Sequence, residues 1–429
     1  MNAGYTYVNF TYNKQLTNGG SMHKHVFSLT GFMGRLSCCA AIVFYAGFSQ
    51  SSFGATTADP NAMQDAKRIL AYYYSLTSKT DTRVIAGQLA YYSSGFAQGY
   101  TQNIVGLQTA TGKWVALLGA DYNSSITTPT PTLISWFKAG GLVAISDHLP
   151  SPGGTLASII VTGGTGNSAW MATLDQRAAA LKTLQDSGVV VIWRPFLEMN
   201  GGWFWWGNGD VTAFVALWRH MFNYFTTTKG LHNLLWNYSP NIGSNVTKYY
   251  PGDAYVDIVG LDGYYAEPTS LNIPEYTSML TYNKPLGFGE FGGIPAGGGS
   301  QNVFDNAVII NSIKANYPKM CYFMPWHCNW SIVCQKNATQ LMTDPWVITR
   351  DKLTWKTTTP VVDENGVKRA APLVLSRTNS SQVLYTMQGR AIKYSGKGTV
   401  PAGLYFSKEL GNSAVGQSMK KVIIGSEKK

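Results

Sequence analysis

Between residues 56 and 359 the chain has only four glutamates, Glu198, Glu267, Glu275 and Glu290, and two of them stand in unusual company. Glu198 follows the apolar, β-branched run Val189–Trp193 in the segment VVVIWRPFLEMNGGWFWWG, and Glu290 closes a second apolar run in KPLGFGEFGG. Glu267 and Glu275 fall in a polar, proline-containing loop and a helix start, where they are expected to be solvated. A carboxylate at the end of a buried strand is costly unless it is paired or put to use. Two of them, one protonated and one ionised, are what cleavage of a glycosidic bond requires: the acid serves the leaving oxygen and the anion faces the anomeric carbon. Arg194 stands four residues before Glu198, and Trp203, Phe204, Trp205 and Trp206 follow it closely. Trp203 is expected to offer a flat face to a sugar, and Trp205 and Trp206 to pack. The competing reading of each glutamate is a buried ion pair, Glu198 with Arg194 for example. Two glutamates together with the aromatics favour chemistry.

The elements that must carry these residues follow from periodicity. Eight short strand-like runs can be counted: Val84–Tyr91, Trp114–Asp121, Leu142–His148, Val189–Glu198, Leu234–Pro240, Asp257–Tyr264, Pro285–Phe291 and Cys321–His327. A helical pattern over Ala62–Ser78 precedes them, and others lie at Thr130–Ala139, Ala169–Ser187, Val211–Thr227 (with Asp210 as N-cap), Leu271–Thr281 and Val303–Tyr317. This alternation predicts a (β/α)8 barrel, an α/β fold. A doubly wound open sheet is the alternative, but no GxGxxG or Walker-type loop follows any strand. Functional groups of a barrel gather at the C-terminal ends of its strands. The runs here end in Asp147-His148, Glu198, Asp262-Gly263-Tyr264, Glu290 and Trp326-His327. His148 and His327 read equally well as satisfied core histidines, and Trp170 as the apolar face of its helix.

The net charge of +11 belongs to the ends of the chain. Residues 1–55 hold three basic and no acidic groups, residues 360–429 hold 11 basic and 4 acidic, and the middle is near neutral with 19 and 18. That distribution disfavours a nucleic-acid-binding body, which would need a basic face. Among the five cysteines no metal-ligand spacing occurs; Cys328 and Cys334 could close a short disulfide or remain reduced with Cys321. No metal or organic cofactor is expected. His23-Lys24-His25 and Arg35, the apolar run Leu36–Phe48 and the small residues after it read as a secretory signal. Translation starting at Met22 or Met33 would suit that reading, and Cys38 or Cys39 as a lipid anchor suits it poorly, because they stand at the start of the apolar run instead of ending it. The expected organisation is a leader and signal over 1–55, a barrel over 56–356, and a linker with a small β-rich tail over 357–429.

The segments WRPFLEMNGGWFWWG, LLWNYSPN, YPGDAYVDIVGLDGYY and KPLGFGEFG resemble glycoside hydrolase family 26, whose best-known members are endo-β-1,4-mannanases, across roughly residues 60–350. The resemblance implies a (β/α)8 barrel and a retaining, two-step mechanism, with Glu198 as acid/base and Glu290 as nucleophile. It also implies that Tyr264 hydrogen-bonds the nucleophile beside Asp262, that Trp203 lines the cleft, that His148 contacts sugar and that Trp326 floors the −1 subsite. Arg194 joins this set as a site residue or as a neutraliser of the barrel carboxylates. Two positions depart from the pattern. Leu197 replaces a histidine that helps bind the −1 sugar, which leaves the glycan open: mixed-linkage β-glucan and β-1,3-xylan compete with mannan. Asp147 replaces a tryptophan before His148 and is expected to change the cleft floor. A barrel that binds glycan without cleaving it is the reading of another class.

The tail string LYTMQGRAIKYSGKG…AGLYFSKE…MKKVIIG resembles the C-terminal sorting domains of surface-secreted bacterial proteins, which implies contact with a secretion machinery. A small carbohydrate-binding module is the alternative, but the tail has little aromatic stacking surface. Strand-like segments are expected at Val383–Met387, Ala391–Tyr394, Gly403–Phe406 and Val422–Ile424. The expectation is a secreted or cell-surface bacterial β-glycanase acting as a monomer on a plant polysaccharide.

Overall fold

Eight parallel strands close into a ring: β1 Val84–Tyr92, β2 Leu117–Tyr122, β3 Leu142–Asp147, β4 Val191–Pro195, β5 Leu234–Tyr238, β6 Ile258–Tyr264, β7 Leu286–Gly292 and β8 Met320–Phe323. β1 pairs with both β2 and β8, which completes the barrel, while a two-residue strand, β9 (Val347–Ile348), adds to β1 from outside. This computed structural model describes residues 56–360 except 93, 94, 124 and 297, together with short strands between 373 and 424. The leader and signal expected over 1–55, with Cys38 and Cys39, lie outside the described residues. All eight strand-like runs of the sequence reappear as ring strands.

The strands are apolar on both faces because both are covered. In β4, Trp193 points outward and meets Tyr122 and Phe225, while Arg194 on the opposite face enters the barrel. Around the ring lie helices Thr130–Lys138, Asn167–Asp186, Val211–Asn223, Tyr276–Leu280 and Ala307–Asn316. Asp210 caps Val211–Asn223 as expected, its carboxylate accepting from Ala213 N at 2.7 Å.

Several boundaries differ from the sequence reading: the helix expected over Leu271–Thr281 covers only Tyr276–Leu280, and β8 ends at Phe323, before Trp326 and His327. The helical stretch over 96–111, α-helix interrupted by a π-turn at Tyr100–Val105, had no clear periodic signal. Tertiary contacts hold it: Asn103 donates to Ala90 O at 2.8 Å, and a side chain at Gly99 would collide with that same carbonyl. β2 starts at Leu117, because Val115 forms an antiparallel bridge with Thr349 instead of joining the ring. β4 ends at Pro195, three residues before Glu198.

The β7 sequence LGFGEFG shows why glycine alternates there. A Cβ on Gly289 would stand 2.4 Å from Ser239 Oγ and 3.2 Å from Arg194 Cδ. The bare backbone lets the interior polar groups close up. Cys321, Cys328 and Cys334 are free thiols, which is the reduced alternative of the two. In the tail, Leu373–Val374 pairs with Thr399–Val400, and a second antiparallel sheet runs in the order Ala391–Tyr394, Gln382–Thr386, Gly403–Lys408, Met419–Ile424. The expected tail strands overlap these.

Candidate active site

Parallel register places Ser146 beside Arg194, and Asp262 beside Glu290, in one layer at the C-terminal end of the barrel. Arg194, 1% exposed, joins that layer. Its Nε donates to Ser146 Oγ at 3.0 Å, Nη1 to Asp262 Oδ2 at 2.5 Å and Nη2 to Glu290 Oε2 at 2.6 Å. Tyr264 Oη donates to the other Glu290 oxygen, Oε1, at 2.5 Å, and Ser239 Oγ donates to Asp262 Oδ1. Both oxygens of Glu290 are thereby fixed in direction. Burial works against charge on Arg194, but Asp262 and Glu290 outweigh it and hold its proton more tightly than usual. Burial pushes the Asp262 carboxyl upward, the negative charges of Glu290 and Glu198 add to that, and Arg194 opposes both.

Glu198 reaches the same mouth differently. Beyond β4 the chain turns through two left-handed residues, Phe196 (φ 49°) and Glu198 (φ 53°). Such backbone costs about 1–3 kcal/mol per residue and persists only where its surroundings enforce it. Here Phe196 is fully buried among Trp170, Trp206, Phe214 and Trp218. Trp206 Nε1 donates to Leu197 O at 2.9 Å, and Glu198 N donates to Ser239 O at 2.8 Å. Trp203 Nε1 donates to Glu198 Oε2 at 2.7 Å. Burial raises the Glu198 pKa to about 7, Glu290 adds to the rise, and Trp203, Arg194 and His148 restrain it. A carboxyl that keeps its proton to neutrality can act as an acid beside a second carboxyl held by Arg194 and Tyr264.

A cleft of about 880 Å³ lies over these groups. Of the residues singled out from sequence, His148, Leu197, Glu198, Trp203, Tyr264, Glu290, Trp326 and His327 line it. Arg194 and Asp262 lie buried beneath, with Arg194 bonded to both Asp262 and Glu290. Trp203 leaves 58% of its surface open. Trp205 and Trp206 pack instead, with Trp205 Nε1 on Leu149 O, and Trp170 is buried against Phe196 and Trp205. Gln88, fully buried in β1, donates to Pro325 O and Trp326 O at 3.1 and 2.8 Å and so anchors the chain at Trp326.

Two expectations are corrected. Asp147 forms no part of the cleft floor: it is buried on the outward face of β3, where Arg177 donates to it from Nε and Nη2 at 3.0 and 3.1 Å. Glu275 is not solvated; it is 9% exposed and accepts from Gly243 N at 2.7 Å, tying down the loop after β5. Sequence reading missed Phe204, Asn241 and Trp330 as cleft residues. Asn241 directly follows the fifth strand-like run, so the strand-end rule could have found it. Its backbone is gripped by Asn200, which accepts from Asn241 N and donates to Asn241 O, both at 2.8 Å.

A closed parallel barrel with an aromatic-lined cleft and inward carboxyls at its C-terminal rim has the form of a glycoside hydrolase. The family model described as glycosyl hydrolase family 26 matches residues 58–352. Mannan endo-1,4-beta-mannosidase A and B of Caldalkalibacillus mannanilyticus is 31% identical over 410 residues, covering 88% of this chain and 75% of that protein. Mannan endo-1,4-beta-mannosidase of Bacillus subtilis is 33% identical over 340 residues, covering 71% and 91%. A solved Bacillus subtilis mannanase superposes with a TM-score of 0.65 at 31% identity, over 72% of this chain and 99% of that one. The chain belongs to glycosyl hydrolase family 26.

Proposed function

We propose that this protein is an endo-acting, retaining β-glycanase that hydrolyses β-1,4-mannan. The observation that carries the mechanism is the unlike treatment of two carboxyls over one open cleft. Glu290 is clamped by Arg194 and Tyr264, whereas Glu198 keeps its proton to about pH 7. In the first step Glu290 attacks the anomeric carbon as the bond to the leaving oxygen breaks, and the Glu198 proton goes to that oxygen. In the second, Glu198 takes a proton from water, whose oxygen displaces Glu290 and regenerates the free carboxylate. The relatives named for mannan cleavage support the substrate. Leu197, a side chain without donor or acceptor beside Glu198, favours keeping mixed-linkage β-glucan and β-1,3-xylan as rivals.

Reducing-end release from galactomannan, glucomannan, mixed-linkage glucan and β-1,3-xylan decides among these, with the fastest turnover expected on a mannan. Binding without turnover on every one would establish the non-catalytic barrel instead. Glu198→Ala should lose activity on polysaccharide but regain part of it with azide on an aryl glycoside with a good leaving group, giving a glycosyl azide of retained configuration; azide without effect would remove Glu198 from the acid/base role.

The acid must be protonated in the free enzyme, so kcat/KM should fall about tenfold per unit as pH rises beyond about 7. Trp203→Phe deletes a donor that favours the Glu198 anion. That variant should move the alkaline limb upward in pH while lowering the maximum; a limb that stays put would contradict the assignment. Secretion and the sorting role of the tail are part of the proposal and rest on the leader and tail sequences. Export of a fusion carrying residues 357–429 would test the tail.

A further inference from the structure

We infer that Asp121 is a positioning residue of the cleft: its carboxylate holds His148 by Nδ1, so that His148 presents Nε2 to the glycan as a cationic hydrogen-bond donor. Asp121 lies in β2, one residue before its end, and is fully buried. His148 directly follows β3 and lines the cleft, and its Nδ1 lies 2.7 Å from Asp121 Oδ2. The ring is clamped edge-on by Phe204 and Trp326, with centroids 5.2 and 6.1 Å away. The aromatics fix where the imidazole lies, and Asp121 holds its Nδ1 edge. Asp147, the nearest carboxylate in sequence, is taken up by Arg177 on the outer face and does not compete.

A neutral imidazole that gives its only N–H to Asp121 would have Nε2 as an acceptor; the doubly protonated ring has Nε2–H as a donor. The charges around His148 bias the ring toward the doubly protonated form. Burial disfavours the cation, but Asp121 and, more weakly, Glu290 favour it, Arg194 opposes it, and the net pKa is raised above 6.5. Glu198 and Asp147 also feel the His148 charge, and His327, which burial lowers to about 4, stays neutral beside it. Sugar hydroxyls both donate and accept, so losing the His148 proton would reverse one hydrogen bond without moving an atom of the protein.

The kinetic part rests on the proposed glycanase reading, and a second readout is independent of it. Asp121→Asn preserves size and leaves an oxygen that can accept from Nδ1–H. In full-length protein carrying 15N-labelled histidine, with His148 assigned by its loss in His148→Gln, wild-type His148 should titrate above 6.5. In Asp121→Asn it should titrate about one unit lower or more. For kcat/KM on a soluble mannan the variant should lose about 10- to 100-fold at pH 7.5, the size of one charge-assisted hydrogen bond, and much less at pH 5, where both proteins carry the cation. An unchanged His148 titration overturns the inference, as does a loss uniform across pH, which would mark Asp121 as merely structural. If the wild type cleaves none of the glycans tested, the glycanase reading fails while the titration still decides the role of Asp121.

Discussion

On the proposed mechanism, replacing Glu290 by alanine is expected to lower kcat by about four to six orders of magnitude, the loss typical of removing a covalent nucleophile, and to leave the barrel folded. The fold should survive because Arg194 keeps its bonds to Asp262 and Ser146, so no cation is left without a counter-charge. Binding should survive too, since the other cleft residues remain. Turnover on mannan, affinity for the same polysaccharide and the melting temperature measured together separate these effects. Activity above one per cent of wild type, once contaminating enzyme is excluded, would move the nucleophile elsewhere.

Arg194→Met should be the most damaging single change to stability, costing about 3–5 kcal/mol, because it strands buried carboxylates without their cation. Activity should vanish with it, since Glu290 loses the donor to Oε2. The loss should depend on pH in a definite sense. Without Arg194, which now restrains the upward shift of Asp262, the folded protein would hold that carboxyl proton to still higher pH than the unfolded chain does. A carboxyl whose folded pKa lies above its unfolded value stabilises at low pH, and that contribution is lost as pH rises through the window between the two. Urea unfolding should therefore show a smaller deficit near pH 4 than at pH 7. A deficit independent of pH would mean that Arg194 acts through packing and not through charge.

Much of the barrel could be read from sequence because parallel strands covered on both faces leave dense β-branched runs, and the same logic located Asp262, Tyr264 and Glu290 at strand ends and Glu198 a few residues beyond one. Side-chain direction was harder. The family pattern puts Asp147 on the cleft floor in place of a tryptophan, yet alternation along β3 turns it away: Ser146 faces Arg194 inside, so the next residue faces the helix carrying Arg177. Nothing local marks Glu275 as buried, since its partner is a backbone amide 32 residues away. The pairing of Asp121 with His148 spans 27 residues and two strand ends, and nothing local announces it. Residues 96–111 show the same limit for helices, because Asn103 and Gly99 are placed by contacts with β1 and not by helical periodicity.

The two glutamates also differ in how firmly the chain holds them. Glu290 is built into β7, paired with Asp262 of β6, whereas Glu198 stands past the end of β4 on a left-handed turn. On the proposed roles this suits the order of events. One group must form and later release a bond to a single carbon and gains from immobility; the other meets first a departing sugar and then a much smaller water. Altering the turn over Phe196–Glu198 would therefore be felt mainly in the choice of second partner. Substituting a bulkier acceptor for water, and so converting a degrading enzyme toward synthesis, is an engineering problem for that turn, with β7 left untouched.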